Sequence, residues 1–310
     1  MVNQQKKFLQ FIHQHPRLIL VISTFAVGPA AILTKIIIYN SALTIAFWRV
    51  LFAGIISLLL SNVLKEKSGV LPKRHKDRWL IIIAGVFLAF HFSLWFESLR
   101  YVSVALSVIV VTTTPIWMTL AALFFMKIFP TKNEKIAIFL VILSIIIMLF
   151  ETGNNGALVI NKNFVIGTIL ALVSSWFIVG YFFIAKRILS TQSLWGYFGL
   201  VNLSAAITLA LLLLLKRESF LPLHFTDFGV LLIMALGPSL IGHAGYNYSM
   251  KLTRPHDVGF AILGEPIIAS VLAFFIFKEV PALTTILGGI LIFIAIYLVV
   301  VISEEEAPLI

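Results

Sequence analysis

The 310-residue chain contains no cysteine, so disulfide and thiolate chemistry are excluded, and cysteine usage gives no information about the compartment. Charge is also scarce, because charged residues make up 12% of the chain, with 13 acidic against 23 basic side chains. The His-Glu-x-x-His helix of zinc proteases and the glycine-rich loop that cradles phosphates are both missing from the sequence. We therefore expect no metal, no cofactor and no enzymatic activity.

One arrangement leaves an enzyme as an alternative. Gly237-Pro238-Ser239 is followed by His243 four residues after the serine, which places a Ser-His pair on one helical face. A serine nucleophile also needs a positioned base and an oxyanion hole, and the sequence indicates neither. An intramembrane hydrolase is kept only as this alternative.

Apolar residues, by contrast, are abundant. They make up 60% of the chain, and the mean hydropathy is +1.06. A soluble domain does not need so much apolar surface, so the composition predicts an all-α integral membrane protein with several spans. The net charge of +10 is carried largely by short loops between apolar runs, where basic residues act as topology signals rather than as a nucleic-acid surface.

Ten apolar runs are close to the ~20 residues that a membrane-spanning helix needs. They are residues 18–38, 43–62, 79–98, 102–126, 135–150, 164–184, 195–215, 228–249, 257–277 and 282–302. An even number puts both termini on one side, and the loops on that side carry most of the lysine and arginine, which predicts a cytoplasmic location for both ends. We expect a multi-pass protein of the inner (cytoplasmic) membrane, with a basic N-terminal segment (1–17) and a short tail (303–310).

The chain is similar to itself after a shift of 151 residues. The matched pairs are Ser23 with Ser174, Lys35 with Lys186, Pro115 with Pro266, Lys127 with Lys278 and Pro130 with Pro281. This match predicts two repeats of five spans each, at residues 18–150 and 164–302. Since five is odd, the second repeat must enter the membrane from the opposite side, which is the inverted arrangement of carriers that alternate access.

The two matched prolines indicate where a site would lie. Pro115 and Pro266 cannot donate a backbone hydrogen bond, so they predict kinks in the fourth and ninth spans. Kinked helices at corresponding positions of two repeats are the best pointer to a transport site. Glu265 lies beside the second kink, near the middle of its span, where a carboxylate is costly unless it faces a water-filled cavity or has a partner. The alternative is an acid satisfied by a neighbouring helix.

Arg49 is a second charge inside a predicted span. Its guanidinium stays charged and presents a planar fork of donors that suits a carboxylate or phosphate, so it is a candidate for binding an anionic group of the cargo. The alternative is a fixed pair with Glu97 or Glu265 that locks helices together. For Glu97 we favour a position at the membrane interface beside Arg100.

Two further polar patches are candidates for the site. His91 and Trp95 share a face of the third span, where they would supply a hydrogen-bonding group and an aromatic wall, although packing is the alternative for the tryptophan. His243 and Asn247 share a face of the eighth span. Histidine is the side chain whose protonation ordinarily changes near neutral pH, so His243 could couple transport to protons, or it could instead form a hydrogen bond between helices.

The chain resembles EamA-type transporters of the drug/metabolite transporter superfamily over residues 18–302. The segments that carry the resemblance are Phe47-Trp48-Arg49, Leu99-Arg100-Tyr101-Val102-Ser103-Val104-Ala105, Thr113-Thr114-Pro115-Ile116, Gly242-His243, Asn247-Tyr248-Ser249-Met250-Lys251, Leu263-Gly264-Glu265-Pro266 and Phe277-Lys278-Glu279. One departure is Lys127-Ile128, where the first repeat of the family commonly has an acidic residue.

The resemblance implies a secondary transporter that exports an amino acid, a related metabolite or a drug-like amphiphile through a central cavity bounded by spans 1–4 and 6–9. Spans 5 and 10 would be scaffold or contacts in a homodimer. The lipid bilayer, a small-molecule substrate and coupling protons are the expected partners, and nucleic acid is not. Alternatives are an importer or exchanger of a nucleotide-like cofactor, and a membrane scaffold or sensor that transports nothing.

Overall fold

The computed structural model describes residues 16–64, 71–72, 74–127, 129–148, 150–152, 158–160, 162–252, 258, 261–262 and 264–298. In these residues the chain is almost entirely helical. The helices are α1 (Pro16–Val27), α2 (Ala30–Ile36), α3 (Ala42–Val63), α4 (His75–Ser98), α5 (Val104–Val111), α6 (Thr114–Met126), α7 (Lys132–Met148), α8 (Lys162–Ile188), α9 (Leu194–Lys216), α10 (Asp227–Met234), α11 (Ala244–Leu252), α12 (Gly264–Phe277) and α13 (Leu283–Tyr297). A π-helical segment, Ala235–His243, joins α10 to α11.

Seven helical stretches are long and apolar enough to cross a membrane, so the predicted class, a multi-pass α-helical membrane protein, is confirmed. They are Leu18–Ile36, Ala42–Val63, His75–Ser98, Val104–Ala121, Lys162–Ile188, Leu194–Lys216 and Asp227–Ser249. Predicted spans 5, 9 and 10 coincide with the shorter helices α7, α12 and α13. The count of ten crossings stays a prediction, and most of the predicted N-terminal segment and the whole tail lie outside the described residues.

A short antiparallel ladder follows the fifth span. Its strands are β1 (Phe150–Thr152) and β2 (Leu158–Ile160), with Glu151 opposite Val159. The sequence between them contains Gly-Asn-Asn-Gly at 153–156, residues that are typical of hairpin turns. The ladder accounts for part of the connection between the two halves of the chain.

Two spans begin at a serine that caps the helix. Ser41 precedes α3, and its hydroxyl accepts a hydrogen bond from the Thr44 amide at 3.1 Å. Ser103 precedes α5 and accepts from the Leu106 amide at 3.3 Å. Such caps satisfy amides that a helix start leaves without a partner, and they fix where the helices begin.

The fourth span is interrupted at Thr112 and Thr113, directly before the helix that carries Pro115. The three consecutive threonines Thr112, Thr113 and Thr114 each donate a hydroxyl hydrogen bond to the carbonyl three residues earlier, at 3.0, 2.7 and 3.0 Å. Threonine hydroxyls can thus satisfy carbonyls that the break frees, which makes an interrupted helix tolerable inside a membrane. Pro115 lies in the first turn of α6, where a missing amide costs little.

The eighth span has a distortion that the sequence analysis did not predict. Pro238 lies within the π-helical segment, where the wider turn accommodates a residue that lacks an amide hydrogen. Ser239 donates its hydroxyl to the Met234 carbonyl at 3.3 Å. The span therefore crosses as two α-helical pieces joined by a wider turn just before His243.

Helices of the two halves pack against one another in matching pairs. α1 packs on the π-helical segment and α11, so span 1 contacts span 8, and α8 packs on α4, so span 6 contacts span 3. These two contacts are equivalent under the 151-residue shift. α3 also packs on α9, α5 on α12 and α7 on α13, and each of these contacts joins equivalent spans. The halves are therefore interleaved rather than placed side by side.

Glycines bring spans 2 and 7 close together. A Cβ atom added to Gly54 would lie 2.9 Å from the Leu203 side chain, and one added to Gly199 would lie 3.2 Å from the Leu58 amide. Both separations are shorter than ordinary van der Waals contact, so each position requires glycine for close approach of the helices. This contact holds the two halves together away from the cavity described below.

One end of the bundle, which the charge pattern predicts to face outward, carries two polar clusters. In the first, Lys35 at the end of span 1 forms an ion pair with Glu279, which also accepts a hydrogen bond from the Val104 amide at 3.0 Å. We call these three residues the outer clamp, because they join spans 1, 4 and 9. Glu97, as expected, pairs with Arg100 nearby, at 3.2 Å.

The second cluster surrounds the buried Asp227. Its carboxylate accepts hydrogen bonds from the Tyr39 hydroxyl at 2.6 Å and the Asn40 amide group at 2.9 Å. Asn40 also accepts from the Leu223 amide at 2.7 Å through its side chain and from Arg100 through its carbonyl. The hydrogen bond to Asp227 raises the pKa of the Tyr39 hydroxyl, so this group stays a donor at neutral pH.

We predict that Asn40→Ala lowers the free energy of unfolding by about 2 kcal/mol, because the buried Asp227 carboxylate loses a donor and the Leu223 amide loses its acceptor. Thermal unfolding in detergent measures the change. Asn62→Ala is the control, since Asn62 is exposed and a surface change is worth about 0.5 kcal/mol or less. Equal melting temperatures for the two variants would contradict a stabilising role for the Asp227 cluster.

Candidate substrate site

A cavity of about 40 Å³ lies between spans 1, 3, 4, 6, 8 and 9. Val27 and Thr112 are close to the middle of their spans, so the cavity lies at mid-depth in the bundle. A volume of roughly 10–15 Å³ is needed for each water, so the cavity as it stands admits a few waters and no metabolite. Its lining residues are Val27, His91, Trp95, Val111, Thr112, Thr114, Ile178, Phe182, His243, Tyr246, Ile262 and Glu265. Spans 2 and 7, which we expected to bound the cavity, contribute no lining residue.

The lining is built from equivalent positions of the two repeats. Under the 151-residue shift the lining residues form four pairs, namely Val27 with Ile178, Trp95 with Tyr246, Val111 with Ile262, and Thr114 with Glu265. Two of these pairs are purely apolar. The other two differ in chemistry: Tyr246 stands where the first repeat has Trp95, and the Glu265 carboxylate stands where it has the Thr114 hydroxyl. The cavity is therefore symmetric in position and asymmetric in charge.

Glu265 is buried, with 8% of its surface exposed, and it lines the cavity. The Tyr246 hydroxyl donates a hydrogen bond to the Thr24 hydroxyl at 3.1 Å and lies close enough to the Glu265 carboxylate to interact with it. A neighbouring helix thus places a polar group beside the acid, and the choice between the two predicted alternatives stays a prediction. The carboxylate still borders the cavity, so this partner leaves it available. Whether the span kinks beside Pro266 concerns residues 259–260 and 263, which lie outside the described part of the chain.

Arg49 is completely buried and does not line the cavity. Its Nε donates a hydrogen bond to the Ser239 hydroxyl at 3.0 Å, and its guanidinium carbon lies 4.1 Å from the centre of the Phe92 ring. Its two Nη atoms have no hydrogen-bond partner among the described residues. Arg49 therefore faces an aromatic ring and a serine rather than the cavity, and its role in binding an anionic group stays a prediction.

Neither acid proposed as a partner of Arg49 forms an ion pair with it in the described part of the chain. Glu97 pairs with Arg100 instead. Glu265 interacts with Arg49 through the low-dielectric interior without direct contact. Ser239, the nucleophile of the hydrolase alternative, accepts from Arg49 rather than pairing with His243.

His91 and Trp95 lie on the same wall, as their spacing predicts, with ring centres 6.0 Å apart and planes inclined by 23°. His91 Nδ1 lies 2.9 Å from the Ser174 hydroxyl, which holds the ring to span 6. Trp95 is 4% exposed, and its Nε1 has no partner among the described residues. The histidine is thus engaged by protein, whereas the indole N–H is an unused donor on the cavity wall.

His243 lines the cavity, and both of its ring nitrogens lack a partner among the described residues. The edge of its ring faces Phe92, with ring centres 5.5 Å apart. Asn247 lies outside the lining and donates to the Tyr181 hydroxyl at 2.5 Å and to the His243 carbonyl at 2.9 Å. Of this predicted pair, His243 belongs to the cavity, and Asn247 ties span 8 to span 6.

Sequence reasoning placed Tyr246 in the polar patch of the eighth span without selecting it as a site residue, and it did not select Thr112 or Thr114. A signal for two of them was present, because the repeat shift carries Trp95 onto Tyr246 and Glu265 back onto Thr114. Thr112 follows from the break in the fourth span, which only the structure locates. Applying the repeat to the candidate residues themselves would therefore have recovered two of the three omissions.

The apolar helices define a multi-pass membrane protein with a polar cavity between its two halves. The model of the EamA-like transporter family matches residues 17–150 and again residues 165–301, and the chain belongs to this family. The predicted resemblance is thereby confirmed. The protein is thus a membrane transporter rather than an enzyme, with a small-molecule substrate.

Comparison of structures gives the same fold. Twenty-eight solved chains match significantly. One, described only as a crystal structure of a protein, superposes with a TM-score of 0.65 at 14% sequence identity, over 94% of this chain and 99% of that one. Among curated proteins none matches the sequence significantly. The likeness at 14% identity concerns the fold alone.

Proposed function

We propose that this protein is a secondary transporter that exports a small metabolite across the cytoplasmic membrane by alternating access. Its ten spans form two inverted five-helix repeats, with both termini in the cytoplasm. The cargo is an amino acid, a related compound or a drug-like amphiphile. The observation that carries the proposal is the cavity, because equivalent residues of both repeats line it and a buried carboxylate borders it.

Alternating access requires that one end of the cavity close while the other opens. The outer clamp keeps the outer end closed in the described conformation. The repeat shift carries Lys35 to the exposed Lys186 and carries Glu279 to Ile128, so the inner end has no equivalent ion pair. Opening outward would break the clamp, with Pro115 and Pro266 at the flexing points. Loss of direct clamp contacts, rather than unfolding of a helix, is the expected cost of the transition.

Glu265 and His243 are the groups that we propose for substrate binding or proton coupling. Both border the cavity, and the two ring nitrogens of His243 have no partner among the described residues. The packed pair α7 and α13 would be scaffold, and its exposed apolar side chains, such as Phe139 and Ile290, would face lipid or a second copy of the chain. A scaffold or sensor without transport would have no need for a cavity that opens to water.

The proposal predicts a metabolite that stabilises the purified protein and loses this effect in Glu265→Gln. A ligand at about 100 times its dissociation constant raises stability by about 2.7 kcal/mol, so a panel of metabolites screened by thermal unfolding reveals it. Glu97→Gln is the matched control, because Glu97 pairs with Arg100 away from the cavity. It should respond like the unaltered protein.

The compound found in this way is then loaded into proteoliposomes and exchanged against external labelled compound. We expect exchange with the unaltered protein and none with Glu265→Gln. Binding without exchange would contradict transport and favour a sensor. Equal binding and exchange by both proteins would remove Glu265 from the site.

A further inference from the structure

The charge of the cavity wall limits what it can hold. Among its described lining residues, Glu265 is the one acid, and lysine and arginine are absent. Arg49 lies behind the wall, near enough to offset the charge of Glu265 but engaged with Ser239 and Phe92. A phosphate entering this space would bring two negative charges toward a carboxylate with no cation to meet them. Unpaired charges in a low-dielectric interior are very costly, so the wall disfavours nucleotide-like cargo.

Unused hydrogen-bonding atoms indicate what the wall can bind instead. Trp95 Nε1 is a donor with no acceptor among the described residues, and both nitrogens of His243 are also unpartnered. These side chains are 4% and 9% exposed and belong to spans 3 and 8, which meet where Phe92 contacts the His243 ring. Most buried polar atoms in proteins have a partner, so such a cluster calls for a ligand or water. The indole N–H can only donate, and it therefore needs an acceptor.

We propose that the cavity has two polar subsites, an ammonium subsite at Glu265 and an acceptor subsite at Trp95 and His243, so that its cargo is a compact zwitterion. The inference rests on the proposed function and specifies the chemistry of its cargo. The carboxylate of Glu265, with the Tyr246 hydroxyl beside it, holds the cationic group. Trp95 Nε1–H and an N–H of His243 hold the anionic or carbonyl group.

Charge balance and shape both favour this assignment. With Arg49 and Glu265 offsetting one another, a zwitterion adds no net charge to the buried space, whereas a simple cation or anion does. The two apolar pairs, Val27 with Ile178 and Val111 with Ile262, supply hydrocarbon walls for a small apolar body. Such a cavity, apolar with a few placed polar groups, is typical of small-molecule sites.

The absence of cysteine allows a test that needs no identified cargo. Ile262→Cys places a thiol in the cavity three residues before Glu265, and Val111→Cys places one at the equivalent position before Thr114. Each protein is reacted with three thiosulfonate reagents that differ in charge. These are 2-aminoethyl methanethiosulfonate, 2-sulfonatoethyl methanethiosulfonate and neutral methyl methanethiosulfonate. Rates relative to the neutral reagent measure the attraction of the cavity for each charge.

The two subsites predict opposite effects of two substitutions. In the Ile262→Cys protein, adding Glu265→Gln should slow the reaction with the ammonium reagent roughly tenfold relative to the neutral reagent. The reaction with the sulfonate reagent should not become slower. Trp95→Phe should slow the sulfonate reagent several-fold and leave the ammonium reagent unchanged. At Val111→Cys the ammonium preference should be smaller, because a hydroxyl replaces the carboxylate three residues away.

Each unexpected result contradicts a different part of the proposal. The two subsites would be contradicted if the thiol reacts with the neutral reagent but shows no preference for either charge. They would also be contradicted if each variant changes the rates of both charged reagents equally. Neither result would contradict the proposed transport function. A sulfonate reagent that outpaces the ammonium one would overturn the ammonium subsite and restore the anionic alternative. No reaction even with the neutral reagent would contradict a cavity that opens to water, and with it both proposals.

Discussion

Glu279→Ala should make a cysteine at Val27 react with a membrane-impermeant thiol reagent from outside about tenfold faster than in the protein with an intact outer clamp. The substitution removes both the ion pair with Lys35 and the hydrogen bond from the Val104 amide. A shift of about 1.4 kcal/mol in a two-state equilibrium changes the open population about tenfold while that population is small. Spans 1, 4 and 9 would then separate more readily at their outer ends.

Lys35→Met should have a smaller effect, about threefold, because Glu279 keeps its hydrogen bond with Val104. Both side chains of the ion pair are more than one fifth exposed, so water already weakens it. Lys216→Met is the control, since Lys216 is exposed at the same end and forms no ion pair among the described residues. An outside rate that is the same in all three variants would contradict the gating role of the clamp.

Arg49→Met should lower the free energy of unfolding by about 2 kcal/mol, and adding Glu265→Gln should restore at least half of the loss. The reason is electrostatic: the guanidinium offsets the buried carboxylate through the interior although the two groups do not touch. Methionine is apolar and of similar length, so packing against Phe92 is largely kept. Removing both charges leaves neither uncompensated.

The control is Arg49→Met combined with Glu97→Gln. Because Glu97 pairs with Arg100, its effect should simply add to that of Arg49→Met. Unfolding in detergent of the single and double variants gives both coupling energies. If the effects of Arg49→Met and Glu265→Gln simply add, whereas those of Arg49→Met and Glu97→Gln do not, Arg49 is coupled to Glu97 at the membrane surface. That result would contradict the electrostatic balance between Arg49 and Glu265.

Span positions could be predicted closely from the sequence. The predicted spans 79–98 and 195–215 correspond to the helices His75–Ser98 and Leu194–Lys216. Apolar runs of membrane length leave few alternatives to a spanning helix. What the runs do not define is the rotation of each helix about its axis. α3 is apolar almost all round, so the direction of Arg49 depended on packing against α9 and the eighth span. Its position behind the cavity wall could not be predicted.

Local distortions were predictable in part. Pro115 predicted a kink in the fourth span, and the structure breaks this span at Thr112 and Thr113, directly before the helix that carries the proline. Pro238 is also visible in the sequence, but a proline by itself does not show whether a helix will kink or form a π-helical turn. The free indole N–H of Trp95 is likewise a property of its neighbours, because a tryptophan acquires or lacks an acceptor only when the helices are packed.

Accessibility of Ile178→Cys from each side of the membrane tests the transport proposal most directly. Ile178 lines the cavity in the second repeat at the position equivalent to Val27. The impermeant reagent is applied to right-side-out and to inside-out vesicles, with and without Glu279→Ala. Alternating access predicts labelling from both sides, with the clamp variant raising the outside rate and lowering the inside rate. Labelling from neither side, or from one side at a rate that the clamp does not change, would contradict it.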